Sequence, residues 1–495
     1  MMYGEEKSDS LIVAANLANN PQGAESVERR SGAKGNAEQP HMRRTQSRES
    51  MSQRLSRVRE AAKQRKKERF TALFHLLTAE ALENAFLSLS RKAAAGVDGV
   101  RWKDYAENLK VNIADLHRRL HQGSYRAQPG RRHYIPKADG KQRPLGIASL
   151  EDKIVQYALV KILNAVYEND FMGFSYGFRP GRSQHNALDA LATWLVRTNV
   201  NWVLDADISQ FFDKVSHEWL IRFIEHRIGD QRVIRLIRKW LTAGTSEEGE
   251  WRASEEGTPQ GAVISPLLAN IYLHYVFDLW AHQWRRRHAT GNVVMVRYAD
   301  DIVIGFDKRI DAQCFRIAMQ RRLKEFGLTV HPKKTRLMEF GRFAAENRAS
   351  RGKGKPETFN FLGFTHISGK DRSGRFMLIR KTRRDRMTAT LKAIKDGLRK
   401  RWHYSIPEQG KWLRRVVQGY LNYHSVPGNY PMMRKFRIYV TDLWRRALRR
   451  RSQQDDTTWT KANRLAAVWL PKVRVLHPWP VERFTARHPR QEPGA

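Results

Sequence analysis

An α+β chain is predicted, with an antiparallel sheet that carries acids at its strand ends and a helical region after it. Val293-Val294-Met295-Val296-Arg297 and Ile302-Val303-Ile304-Gly305-Phe306 are strand-like runs rich in β-branched residues. Tyr298-Ala299-Asp300-Asp301 joins them as a hairpin with two adjacent carboxylates at its tip. Trp202-Val203-Leu204-Asp205-Ala206-Asp207-Ile208 is a further apolar strand, and Asp207 at its end can project towards that tip. Beyond residue 365 the period changes: Met387, Leu391, Ile394, Leu398 and Trp402 recur at helical spacing.

The remaining elements follow in chain order. Residues 1–50 are polar, rich in Asn, Gly, Ser and Glu, a composition expected to be disordered in isolation. Arg54 to Lys67 is a basic helical segment, either a solvated face or an arm contacting phosphates. From Phe70 a helical pattern (Leu73, Leu76, Leu77, Leu82, Phe86) runs to the turn residues Gly96 and Asp98-Gly99. Arg131 to Ile147 reads as a hairpin bearing two candidate phosphate binders, Lys137 and Arg143. Ser183 is the expected N-cap of a helix with Leu188, Leu191, Trp194 and Leu195 on one face. Arg179 and Arg182, just before it, are candidate template contacts. Gly257-Thr258-Pro259-Gln260-Gly261 is a loop whose glycines allow close backbone approach, and Ser265-Pro266 is expected to cap the next helix. Trp412 to Tyr420 and Phe436 to Leu448 extend the helical region, with arginines such as Arg445, Arg446 and Arg449 beside the apolar faces. Trp469 to Pro480 is broken by prolines and expected to pack back irregularly.

Chemistry enters through the acids. Neighbouring anions in a turn repel unless a cation lies beside them. Three carboxylates from two adjacent strands, Asp207, Asp300 and Asp301, would hold two Mg2+ ions about 3.5–4 Å apart, the separation of two-metal phosphoryl transfer. Taken alone, the hairpin also fits a solvated Asp-Asp turn. The formal net charge of +40 over 495 residues implies a polyanionic partner. Nucleic acid is favoured over a membrane, because no apolar stretch approaches the ~20 residues of a spanning helix. The single cysteine, Cys314, excludes a disulfide framework and a cysteine-based zinc site, and suits a reducing cytoplasm.

In order, the motifs resemble those of group II intron reverse transcriptases/maturases. They run from Arg131-Arg132-His133-Tyr134-Ile135-Pro136-Lys137 and Gly140 to Ile147, through Phe174-Ser175-Tyr176-Gly177-Phe178-Arg179-Pro180-Gly181-Arg182-Ser183, to Asp205–Phe212 and Gly257–Gly261. Tyr298–Asp301, His331-Pro332-Lys333-Lys334-Thr335 and Phe359-Asn360-Phe361-Leu362-Gly363-Phe364 complete the series. The resemblance implies a right-hand polymerase: an N-terminal extension (1–67), fingers and palm (68–365), a helical thumb or domain X (366–455) and a tail (456–495). It implies Asp207, Asp300 and Asp301 as metal ligands, with Asp301 the least direct. Lys334 would protonate the departing pyrophosphate. Lys137, Arg143 and Gln260 would bind the nucleotide, and Phe212, five residues after Asp207, would exclude a ribose 2′-hydroxyl. Viral RNA-dependent RNA polymerases carry an Asp at that spacing; here the acid is Asp213, one position later.

RNA is expected on Arg383, Arg384, Lys392 and Lys395. The implied partners are an intron RNA, an RNA template, a DNA primer or target and dNTPs, with a homodimer left open. The implied location is a bacterial-type cytoplasm, at the nucleoid when bound to DNA. A cysteine-pair endonuclease module is not expected, so priming would use a DNA end made elsewhere. A free-standing reverse transcriptase in defence or repair and a non-catalytic RNA-binding splicing factor are the alternatives.

Overall fold

The computed structural model describes residues 38–136, 142–247, 249–451 and 457–487. The fold mixes many helices with three sheets whose pairings are antiparallel, apart from a short parallel contact of Gly130 and Arg131 with Thr245 and Ser246. The central sheet has strand order β6-β7-β3-β8, built from Val293–Tyr298, Asp301–Phe306, Trp202–Asp207 and Arg336–Glu339. Strands β6 and β7 are buried at every position, as their unbroken apolar runs require of a sheet covered on both faces.

One cover includes the helix Arg309–Glu325, which packs on β3 and β7; the other includes Gln184–Arg197. Ser183 caps the latter, its hydroxyl accepting from the Asn186 amide while the Asn186 side chain accepts from the Ser183 amide. A second sheet, order β2-β1-β4-β5, joins Gly130–Pro136 and Gln142–Ile147 to the short strands Thr245–Glu247 and Glu250–Arg252. The third, β11-β10-β9, comprises Phe376–Thr382, Phe364–Lys370 and Phe359–Phe361, and leads into the helical region.

That region is built from Arg384–Lys400, Ile406–His424 and Tyr430–Arg449 around their own core. Tyr420 stacks on Phe436 with ring centroids 3.6 Å apart, and Trp444 donates to Gln409 Oε1 at 2.9 Å. Within the last of these helices Val440 faces the core, which leaves its neighbour Tyr439 exposed.

Other boundaries differ from expectation. The basic N-terminal helix begins at Glu38 rather than near Arg54, so part of the polar segment is helical. Ser265 is the first helical residue and not the cap; its hydroxyl instead donates to the Pro259 carbonyl at 2.9 Å, closing the preceding loop. The proline-broken segment between Trp469 and Pro480 forms neither helix nor strand, as expected, and is flanked by the helices Trp459–Trp469 and Pro480–Arg487. The latter packs on Gln184–Arg197, with Arg483 paired to the buried Asp189 and Phe484 edge-on to Trp194. No helix among the described residues is long and apolar enough to cross a membrane.

Candidate active site

Strand pairing assembles the acids. Strands β3 and β7 run antiparallel with Asp207 directly opposite Asp301, so the two side chains share one face of the sheet. Asp207 is 4% exposed and Asp301 1%. Tyr298 pairs with Asp301 to close the hairpin, which leaves Ala299 and Asp300 as the two turn residues. The expected tip of two acids is therefore one acid in the turn and one at the start of the strand. Asp300 is buried as well, at 4% exposure.

Like charges directly opposite across a sheet, with Cβ atoms about 4.5–5.5 Å apart, destabilise it unless positive charge is near. Lys334 supplies some: its Nζ lies 3.2 Å from Asp207 Oδ2. The turn that carries Lys334 is stitched to the end of β3, His331 donating to the Asp207 carbonyl at 2.7 Å and Ser209 to that of Thr329 at 2.8 Å. Lys333, by contrast, is exposed. Among the described residues no three His, Cys, Asp or Glu side chains form a ready metal cage. A divalent ion held by one or two carboxylates plus substrate phosphates needs no such cage. The facing Asp207 and Asp301 beside Asp300, all hard oxygen donors, fit an ion of that kind.

The segments that carry Phe212 and Gln260 are bonded to each other. The Thr258 amide donates to the Phe212 carbonyl at 2.7 Å, and Gln260 Nε2 donates to Asp213 Oδ1 at 2.8 Å. Gly257 has φ +84°, and a Cβ there would press on the Phe212 carbonyl oxygen at 2.8 Å, so only glycine fits. The Gly146 amide donates to the Gln260 carbonyl at 2.7 Å, which ties β2 to the same loop. Both Phe211 and Phe212 are buried, at 2% and 5%: Phe211 leans on Tyr272, Phe212 on Phe178. Arg143 lies within β2 at 7% exposure. Lys137 lies outside the described residues.

The arginines divide by environment. Arg179, 6% exposed, is a strut bonded to Glu168 and to the Met172 and Ser175 carbonyls, which leaves it no surface for template. Arg182 donates to the Ser175 carbonyl at 3.1 Å and lies over the Tyr176 ring. Arg383, 4% exposed, is paired with Asp385 at 2.6 Å, whereas Arg384, Lys392 and Lys395 are exposed along one helix.

Nothing in the motif series singles out the side chain that fixes the hairpin. Arg297 is fully buried and forms a two-pronged pair with Asp278, also fully buried, at 2.7 and 2.6 Å. It donates further to Asn270 Oδ1 at 3.1 Å, to Ser175 Oγ at 2.7 Å and to the carbonyl of the turn residue Ala299 at 3.0 Å. Asp278 is delivered by a π-helical turn, His274–Asp278, a local widening often found at functional sites. A lone arginine inside an apolar strand and a lone aspartate in an apolar helix were the available signal, since each needs a buried partner.

Residues 135–366 match the family described as reverse transcriptase (RNA-dependent DNA polymerase). Protein YkfC of Escherichia coli is 43% identical over 206 residues, 41% of this chain and 54% of that protein. The group II intron-encoded protein LtrA of Lactococcus lactis is 37% identical over 223 residues, 44% of this chain and 37% of its own. The putative COX1/OXI3 intron 1 protein of Saccharomyces cerevisiae is 26% identical over 396 residues, 66% of this chain and 46% of that protein. The chain thus spans about half or less of the length of these relatives. The matched segment contains the facing aspartates, Phe212, Gln260 and Lys334, and over it the chain is similar to reverse transcriptases and to a group II intron-encoded protein.

Proposed function

We propose that the chain is an RNA-directed DNA polymerase that also binds its intron RNA as a splicing maturase. The observation that carries the reading is the buried cross-strand pair Asp207–Asp301 with Asp300 at the adjoining turn. In this reading the central sheet is the palm, β1 and β2 belong to the fingers, and the helices from Arg384 to Arg449 are the thumb. Two Mg2+ ions on Asp207, Asp300 and Asp301 would activate the primer 3′-hydroxyl and neutralise charge on the leaving pyrophosphate.

The chain's own residues do the rest by positioning and charge. Arg143 and Lys137 grip the triphosphate. Phe212 lies beneath the sugar, where its ring excludes a 2′-hydroxyl, while Asp213 is engaged by Gln260 and so is not offered to that hydroxyl. Lys334 holds a proton at Nζ, beside Asp207, for the departing pyrophosphate. Arg384, Lys392 and Lys395 give the thumb a basic exposed face for RNA phosphates.

The test is primer extension by the purified chain on an RNA template with a DNA primer. Incorporation of dNTPs that requires a divalent ion and strongly exceeds incorporation of NTPs supports the reading. Absence of RNA-templated extension while the protein still binds RNA and assists splicing would leave only the maturase half.

A further inference from the structure

Phe178 has φ +58°, a conformation rare for L residues and an outlier for one so bulky. Such strain persists where the surroundings over-determine it, and it clusters at functional sites. The surroundings here are specific. Gly177 is pressed against the Ala299 amide, so tightly that a Cβ would overlap it, and its carbonyl accepts from Asn270 at 2.7 Å. On the other side Arg179 is locked to Glu168 and to two backbone carbonyls. The Phe178 ring is half-buried and packs against both core clusters, at their seam. It meets the Phe212 ring edge-on, centroids 6.3 Å apart at 78°, and the Tyr298 ring at 6.5 Å.

We propose that Phe178 is a positioning residue for sugar discrimination, holding the Phe212 ring at a fixed distance from the catalytic hairpin. The inference rests on the reading of Phe212 as the residue that excludes ribonucleotides. Phe212 has two aromatic neighbours among the described residues, Phe211 and Phe178. Phe211 is itself set against Tyr272, which leaves Phe178 as the aromatic neighbour of Phe212 that also faces the hairpin, at Tyr298. A smaller side chain at 178 opens that direction, and the space needed for a 2′-hydroxyl is about one heavy atom. The strained backbone serves this purpose: it turns the ring of a residue anchored to the hairpin back onto the sugar side of the site.

The experiment compares kcat/KM for a dNTP and the matching NTP on one primer–template, in Phe178→Leu, Phe178→Met, Phe178→Tyr, Phe212→Val and the Phe178→Leu/Phe212→Val double variant. The NTP/dNTP ratio should rise about tenfold in Phe178→Leu, the scale of a methylene-sized change in a pocket. It should rise in Phe178→Met, stay near wild type in Phe178→Tyr, and in the double variant not exceed that of Phe212→Val alone, since coupled residues are non-additive. Equal loss of both substrates in Phe178→Leu, or multiplying ratios in the double variant, overturns the proposal. If Phe178→Leu fails to fold, Phe178→Met decides by the same ratio. A silent Phe212→Val overturns the underlying gate reading, and is told apart from failure of the inference by being silent while Phe178→Leu is measured independently.

Discussion

Gly177→Ala tests how rigidly the hairpin turn is held. A Cβ on Gly177 would fall well inside 3.0 Å of the Ala299 amide nitrogen, and would also stand 3.0 Å from the Tyr298 carbonyl carbon and 3.1 Å from Ala299 Cα. All three are backbone atoms, so no flexible side chain can give way. Restoring ordinary separation moves the turn by about 1 Å, and misplacement of a catalytic group on that scale lowers rates by about 100-fold. The turn cannot relax freely, because Arg297 grips the Ala299 carbonyl and Asn270 the Gly177 carbonyl. The assay is single-nucleotide primer extension at saturating substrate, with thermal melting and RNA affinity as controls. Extension should fall by about two orders of magnitude while RNA affinity stays within a factor of two or so. A variant that extends at the wild-type rate with an unchanged melting temperature would refute the idea that this close approach sets the position of Asp300.

Other expectations concern charge. Arg297→Met leaves Asp278 as a buried carboxylate without its partner; stability should drop by about 3–5 kcal/mol, read by chemical denaturation, and an unchanged midpoint would contradict the buried-pair argument. Burial holds His274 and His424 down at about 4, and burial with positive neighbours holds His185 at about 2. These groups stay neutral in the folded chain while the unfolded chain takes up protons below about 6.5. Stability is therefore expected to fall as pH drops from about 6.5 towards 4, by up to about 1.4 kcal/mol per pH unit per histidine, and a flat denaturation midpoint across that window would contradict it. Neutralising Arg384, Lys392 and Lys395 should weaken RNA binding and flatten the log–log salt dependence by roughly one unit for each RNA phosphate that no longer meets a cation; an unchanged slope would remove this face from the RNA footprint.

The hairpin, the Asp207 strand and the three helices between Arg384 and Arg449 were legible because their periods of two and 3.6 survive in the residues. The pairing of Asp207 with Asp301 was not, since register depends on partners about a hundred positions away. Lys334 was legible only through motif order; the bonds that bring it to Asp207 belong to the backbone of residues 329 and 331. Arg179 and Arg383 look like any surface arginine in sequence, and only burial shows that each is committed to an acid within the fold. Arg297 and Asp278 were hidden for the opposite reason: each is one charge inside an apolar run, and neither names the other. The strain at Phe178 is likewise invisible in sequence, because φ is imposed by Gly177 and Arg179 being held from both sides.

Asp300→Asn is the most direct trial of the two-function reading. It keeps size and hydrogen-bonding capacity and removes one carboxylate charge from the turn between Tyr298 and Asp301. RNA-templated DNA synthesis and intron RNA binding are measured on the same preparation. Synthesis should fall by about three orders of magnitude, as loss of an electrostatic group acting on the reacting atoms does, while RNA affinity and assisted splicing persist. Undiminished synthesis would remove Asp300 from the catalytic centre, and loss of RNA binding in parallel would show that the acidic sheet is part of the RNA footprint.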